Sequence, residues 1–225
     1  MKLYVPKGDY VATWHFSHGD QLVPYASDRC YSDFYEDLFK ILTILEKHKM
    51  LIPKFIGREL MEPLTIISTD ISGIVEEIKQ YSNGAYLPLF GDTIIFTESG
   101  EEIHHRIFTL DMRCHEKNIA LRTKSDVWLP MSVDFDTYWF HWNLERYNLN
   151  YHRLEAVLNE IRTTFNWEED SHMEIDVNRA LQLGYKIFME ENHIKQNYKD
   201  DPHPDFNLDA YLAEIALQKT RLNWN

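Results

Sequence analysis

The sequence predicts an α+β fold: an antiparallel β meander with flanking helices and a helical C-terminal third. Alternating apolar residues, typical of half-buried strands, dominate the middle of the chain, whereas apolar residues spaced three and four apart dominate the flanking parts. Strands and helices come in separate runs, which favours α+β over a regular strand–helix alternation. The chain has 225 residues, of which 44% are hydrophobic, and we expect residues 1–225 to form a single domain.

The first part of the chain is predicted to contain two strands and two helices. In order, these are a strand at 10–16, a helix that begins after Asp33 and ends near Lys49, a short buried strand at Leu64–Ser68, and a helix capped by Thr69 or Asp70. Two prolines, Pro53 and Pro63, predict an irregular link between the first helix and the second strand.

The second part begins with the predicted meander. Its elements are a hairpin of Thr93–Thr97 with Ile103–Leu110, a further strand pair of Asn118–Arg122 with Val127–Ser132, and helices from about Asn148, over Ile175–Asn192 and after the cap residue Asn207. Pro130 cannot donate to a strand ladder, so we expect the last strand to stop there or lie at an edge.

The net charge of −13 restricts the partners. Nucleic acid and anionic membrane surfaces are excluded because both repel an acidic protein. A cationic partner, such as a basic protein, a metal ion or a polyamine, is favoured, although the charge can equally serve solubility alone. No apolar stretch approaches the length of a membrane span or export signal, so we expect a cytoplasmic protein in which Cys30 and Cys114 are free thiols.

Residues 103–125 form a basic segment inside this acidic chain, with five basic and two acidic side chains. Such a segment can dock a carboxylate or a phosphate. Pairing with its own acidic neighbours is the favoured interpretation.

The chain carries no signature of a catalytic, nucleotide or metal site. It has no Gly-rich phosphate loop, no nucleophile elbow, no His-Glu-x-x-His and no Cys-x-x-Cys. Adjacent His104 and His105 would point to opposite faces of a strand and could not share an ion. Asp134 and Asp136 would share a face and could hold magnesium, but a solvated loop is the simpler interpretation. We therefore assign no cofactor, no metal and no catalytic residue.

The most unusual segment is 134–142, which has five aromatic residues among its last eight. Alternation would bury Tyr138, Phe140 and Trp142 and expose Trp139 and His141. Exposed aromatics beside carboxylates suit capture of a basic partner. The predicted partner-binding residues are Asp134, Asp136, Trp139, Trp167, Glu168, Glu169 and Asp170. A two-sided core strand followed by an ordinary acidic loop is the simpler alternative.

Two segments, Val127-Trp128-Leu129-Pro130 and Asn150-Tyr151-His152-Arg153-Leu154-Glu155 with Leu158 and Ile161, carry a resemblance. They resemble segments of the immunity proteins that are encoded beside bacterial polymorphic toxins. The resemblance covers about 40 residues and implies a cytoplasmic, non-enzymatic inhibitor that binds one toxin domain. It assigns no residue roles, because these families share no common site.

Three hypotheses of function follow. The first is an acidic binding protein that neutralises a basic toxin domain, for example a nuclease, by occlusion. The alternative is a metal-assisted hydrolase that uses His15, His18, His104 or His141 with a carboxylate. The third is an interaction module or homodimer that buries its exposed aromatics against a second copy.

Overall fold

A computed structural model describes residues 11–17, 33–57, 63–81, 86–113, 118–134, 139–166, 168–169, 174–175 and 180–223. The helices are α1 (Phe34–Lys47), α2 (Ile71–Tyr81), α3 (Leu144–Phe165), α4 (Glu191–Asp200) and α5 (Leu208–Arg221). The strands are β1 (Ala12–Ser17), β2 (Ile52–Ile56), β3 (Leu64–Thr65), β4 (Leu87–Thr97), β5 (Gly100–Arg113), β6 (Asn118–Thr123), β7 (Met131–Asp134), β8 (Trp139–Trp142), β9 (Glu168–Glu169), β10 (Glu174–Ile175), β11 (Ala180–Leu183) and β12 (Lys186–Met189).

The main sheet has seven strands in the order β3-β2-β4-β5-β6-β1-β9, and all of its pairs are antiparallel. Consecutive strands β4, β5 and β6 form the predicted meander. Strands β10–β12 form a small second sheet, and β7 pairs with β8 in a separate hairpin. Three helices in the last eighty-two residues complete the α+β fold that the sequence predicted.

The first hydrophobic cluster lies between one face of the main sheet and α1, α2 and α3. Helix α1 buries the predicted stripe in full: Phe34, Leu38, Ile41, Leu42 and Leu45. The second cluster joins β7, β12, α4 and α5 through Met131, Phe188, Met189, Ile194 and Ile215. The C-terminal helices therefore have a core of their own, next to the main one.

Predicted helix caps are confirmed at two positions. The side chain of Asp70 accepts a hydrogen bond from Gly73 N, and that of Asn207 accepts one from Ala210 N, both at 2.9 Å. These short polar side chains satisfy backbone donors that the first helical turn leaves without partners. Across the described residues, no helix combines the length and apolarity needed to span a membrane.

The link after Pro53 is a strand, so the expectation of irregular structure was wrong there. Pro53 lies in β2 opposite Gly91 of β4. A bulge interrupts the ladder at this point, so proline, which has no backbone N–H, is tolerated here. A Cβ on Gly91 would lie 2.0 Å from the carbonyl oxygen of Ile52, so only glycine allows this approach. The strand predicted at Leu64–Ser68 is shorter, and β3 is exposed at the sheet edge instead of buried.

The predicted pairing of Asn118–Arg122 with Val127–Ser132 was also wrong. Strand β6 pairs with β5 and β1, while Asp126–Trp128 form a buried 3₁₀ turn. Trp128 Nε1 donates a hydrogen bond to Thr123 Oγ1 at 2.9 Å. This bond holds the turn in the core, so residues 126–128 do not extend the sheet. Strand β7 begins directly after Pro130, so the proline precedes a strand and does not end one as predicted.

The helix predicted over Ile175–Asn192 is replaced by β10, β11, β12 and the start of α4. The apolar spacing of this segment fits a helix, but Gly184 has a φ of +58° and makes the turn between β11 and β12. Tertiary packing decides the outcome, because Ile187, Phe188 and Met189 are buried where the small sheet meets the two clusters.

Two buried amides cap strand edges at points where no other strand of the described residues pairs with them. Gln182 accepts from Thr13 N at 3.1 Å and donates to Thr13 O at 2.9 Å, which attaches the small sheet to β1. Asn150 accepts from Phe96 N at 3.0 Å and donates to Phe96 O at 2.8 Å, which attaches α3 to β4. Both amides satisfy a backbone donor and acceptor as a strand would.

Candidate functional site

The sequence-predicted partner-binding residues fall on two separate sheets. In the β7–β8 hairpin, Asp134 lies opposite Trp139 in the backbone register. Glu168 and Glu169 form β9, which pairs with β1 at the edge of the main sheet. Asp136, Trp167 and Asp170 lie outside the described residues, so the predicted surface as a whole stays a prediction.

The alternation predicted for the aromatic segment is confirmed where side chains are described. His141 is exposed, whereas Phe140 and Trp142 are half-buried and pack against the second hydrophobic cluster. Trp142 also donates from Nε1 to the carbonyl oxygen of Asp201 at 2.9 Å. This hydrogen bond attaches the C-terminal end of β8 to the segment between α4 and α5.

Trp142 lies in a group of aromatic rings at this junction. Its ring centroid is 5.0 Å from Phe206, 5.3 Å from His203 and 6.1 Å from Tyr198. Beside the group is a cleft of about 340 Å³, lined by Tyr198, Pro204, Asp205, Phe206, Asn207, Leu208 and Asp209. Packing of the rings against one another fixes the wall of the cleft.

Exposed carboxylates surround this cleft. Residues 190–209 contain six acidic and two basic side chains, and one of the basic ones, Lys195, is paired with Glu191 at 3.3 Å. We define the C-terminal acidic face as the four exposed aspartates, Asp200, Asp201, Asp205 and Asp209, together with the aromatic group. It is a cleft with an aromatic wall, polar lining residues and an acidic rim.

The sequence pattern of residues 199–205 indicates only a polar, proline-bounded loop. Trp142 meets residues that lie about sixty positions further along the chain, and no local pattern encodes that contact. One feature of the sequence does indicate this site: acidic residues lie next to Tyr198 and Phe206. The 134–142 segment has the same combination of acidic and aromatic residues.

A second candidate lies on the main sheet, on the face opposite the first hydrophobic cluster. We call it the sheet pocket; its volume is about 220 Å³ and its floor is Ala120. The described lining also includes six polar side chains: His15, Tyr86, Asp111, Arg113, Asn118 and Arg122. The basic segment 103–125 supplies four of them, including both arginines, Arg113 and Arg122.

The charged groups of the sheet pocket interact. Arg122 forms an ion pair with Asp111, an acidic residue of the same segment, so the expected pairing is confirmed for this arginine. Burial raises the pKa of Asp111, and Arg122 and the Tyr86 hydroxyl act in the opposite direction. Burial likewise raises the pKa of Tyr86, whose hydroxyl therefore stays a donor at neutral pH.

A third cavity, of about 270 Å³, lies where α3, β12 and α5 meet. Tyr147, Tyr151, Tyr185 and Tyr211 contribute to its lining. Lys186 Nζ is 2.9 Å from Glu214 and 3.9 Å from Glu155, so a single ammonium group lies between two carboxylates in its lining.

The histidines of the hydrolase hypothesis are dispersed. His15 lines the sheet pocket, His104 contacts Glu102 at 3.2 Å, and His141 is exposed on β8. His18 lies outside the described residues, as do Cys30 and Cys114. Within the described ranges, no group of three His, Cys, Asp or Glu side chains is arranged to hold a metal ion.

A comparison of the chain with protein-family models, with curated proteins and with solved structures gives no match.

Proposed function

We propose that this chain is a non-enzymatic, acidic binding protein that captures a basic protein partner, such as a toxin nuclease, and neutralises it by occlusion in the cytoplasm. The observation that carries the proposal is the C-terminal acidic face, where a cleft beside packed aromatic rings has an acidic rim. The resemblance of residues 127–130 and 150–161 to immunity proteins motivates the choice of an inhibitor.

The chemistry of this face suits lysine and arginine side chains. Their aliphatic stems can pack on Phe206 and Leu208, and their charged ends can pair with Asp205 and Asp209 at the rim. The ring of Tyr198 offers an additional face to a guanidinium. Because Trp142 and Phe206 are already packed, binding orders few side chains and costs little conformational entropy.

The predicted residues of the β7–β8 hairpin are within reach of the same partner. Trp139 is three residues before Trp142 on β8, roughly 10 Å along the strand, and Asp134 is its cross-strand neighbour. A partner seated over the cleft can therefore extend along the hairpin. The contribution of Asp136 and of Trp167, Glu168, Glu169 and Asp170 is part of the proposal.

Charge complementarity predicts electrostatically steered association. A net charge of −13 attracts a basic partner over a distance of about one Debye length, and added salt screens this attraction. The association rate is therefore expected to fall steeply as ionic strength rises, whereas the dissociation rate changes little.

The proposal is tested in two stages. First, immobilised full-length protein recovers its partner from lysate of its own organism at low and high salt. Second, the association rate of the purified partner is measured across ionic strengths for the native chain and for Asp205→Asn/Asp209→Asn. We expect a basic protein in one-to-one ratio, and an association rate lowered roughly threefold or more by the double substitution at low salt.

A matched control separates the cleft from net charge. Glu46→Gln/Glu98→Gln removes the same two charges from exposed positions outside the C-terminal acidic face, and should lower the rate much less. A salt-independent rate, equal effects of the two double substitutions, or no stoichiometric protein at either salt concentration would overturn the proposal.

A further inference from the structure

The sheet pocket arises from the register of three strands. Asp111 on β5 and His15 on β1 both lie opposite Ala120 of β6. Cross-strand neighbours project to the same face, so the two polar side chains flank the small methyl group of Ala120. With strands about 4.8 Å apart, the backbones of Asp111 and His15 are roughly 10 Å apart, and the space above Ala120 stays open.

The same register brings the two arginines to this space. Arg113 is opposite Asn118, at one side of Ala120, and Arg122 is two residues beyond Ala120 at the other side. All of these residues lie on one face of the sheet. The other face, with Trp14, Leu110 and Leu121, is buried in the first hydrophobic cluster.

Among the described residues of its lining, the sheet pocket has more positive than negative charges, in a protein whose net charge is −13. The pocket contains two guanidiniums, one carboxylate and an imidazole, and Arg122 is held by Asp111. An ion pair to a buried carboxylate fixes the orientation of the Arg122 guanidinium, while Arg113 is exposed at the rim. Planar guanidiniums with several N–H donors suit the oxygen atoms of carboxylates and phosphates.

We propose that the sheet pocket binds a small oxyanion, a carboxylate or phosphate group, above Ala120 and between Arg113, Arg122 and His15. The amide of Asn118 is an additional donor at the rim. The small volume restricts the ligand to the anionic group itself or to the anionic end of a larger molecule. This inference does not depend on the proposed partner, because none of the residues that line the sheet pocket belongs to the C-terminal acidic face.

The test is a titration of the isotope-labelled full-length protein with two probes, inorganic phosphate and acetate, each against sodium chloride at equal ionic strength. Amide signals of β1, β5 and β6 are followed by NMR. We expect saturable shifts centred on Ala120 with at least one oxyanion and no saturable shifts with chloride. The tighter probe identifies the class of the anionic group.

Two variants locate the binding. Arg113→Gln, at an exposed position, should weaken the affinity for the tighter probe at least tenfold, whereas Arg221→Gln, an exposed arginine on α5, should leave it unchanged. Ala120→Leu should abolish saturation by filling the pocket, with its spectrum used to check the fold. Absence of saturation with both probes, or an unchanged affinity in Arg113→Gln, would overturn the inference.

Discussion

Asn150 provides a quantitative test of how α3 is attached to the main sheet. Its side chain is fully buried, and its amide holds both backbone groups of Phe96 at 3.0 and 2.8 Å. Its Oδ1 also accepts from Arg153 Nη1 at 2.7 Å. Replacement by leucine keeps the size and branching of the side chain but removes all of these hydrogen bonds.

The expected loss of stability follows from the backbone N–H and C=O of Phe96, which lose their hydrogen-bond partner. A buried polar group without a partner costs about 1–3 kcal/mol, so the two groups of Phe96 cost about 2–6 kcal/mol together. Phe96 is half-buried, so water reaches part of this site and the lower half of the range applies. Apolar contacts of the leucine offset about 1 kcal/mol. We expect Asn150→Leu to lower the free energy of unfolding by about 2 kcal/mol.

Urea unfolding followed by tryptophan fluorescence measures this change. With a slope of about 3 kcal/mol per molar urea, a loss of about 2 kcal/mol moves the midpoint down by about 0.7 M. The control is Asn148→Leu, the same chemical change at an exposed position of α3, which should change stability by less than about 0.5 kcal/mol. Equal midpoints for the two variants would refute the assignment of Asn150 as the cap of β4.

Two further predictions concern the bulge and the dependence of stability on pH. Gly91→Ala should cost about 2–3 kcal/mol or more, because the new Cβ would lie 2.0 Å from Ile52 O; an unchanged melting temperature would contradict the close approach of β2 and β4. Three carboxylates have a pKa that hydrogen bonds lower. Lys47 donates to Glu160, Lys219 donates to Glu191, and Gln218, followed by Lys186, donates to Glu214. Their stabilising effect is therefore complete above the unfolded-state pKa of about 4.3 and is lost as pH falls through the lower folded-state values. Melting temperatures measured from neutral to acidic pH should fall less steeply in Glu160→Gln than in the native chain, and parallel curves would exclude a contribution from Glu160.

The acid–base behaviour of Asp111 has the opposite sign. Because burial raises its folded-state pKa, this carboxyl favours the folded state at low pH, and that contribution is lost as pH rises through the raised value. It therefore partly compensates the acid loss from the lysine-paired glutamates. The structural cause is its position on the inner part of the sheet pocket, next to Ala120.

The segment Asn150–Glu155 illustrates how a pattern can have a structural role. Arg153 donates to His48 O, Lys49 O and Ile94 O at 2.6, 3.0 and 2.8 Å, and its burial lowers its pKa to about 10. Together with Asn150, it attaches α3 to the end of α1 and to β4. The residues that motivated the resemblance thus hold the fold together, whatever partner the protein binds.

The sequence by itself determined the features that depend on local interactions. The apolar stripe of α1, the caps Asp70 and Asn207 and the β4–β5 hairpin all follow from side chains a few positions apart. It also determined the acidic charge, on which the proposed function depends.

Only the tertiary structure decided which distant segments meet. Residues 175–192 have helical spacing, yet β11 and β12 form because Gln182 and Gly184 bind β1 and the hydrophobic residues fill two clusters. The sheet pocket needs Asp111, Ala120 and His15 in one cross-strand row, and the acidic cleft needs Trp142 to pack on Phe206. Contacts of this kind depend on strand register and on the burial of nonpolar surface across the whole chain, which a local pattern does not encode.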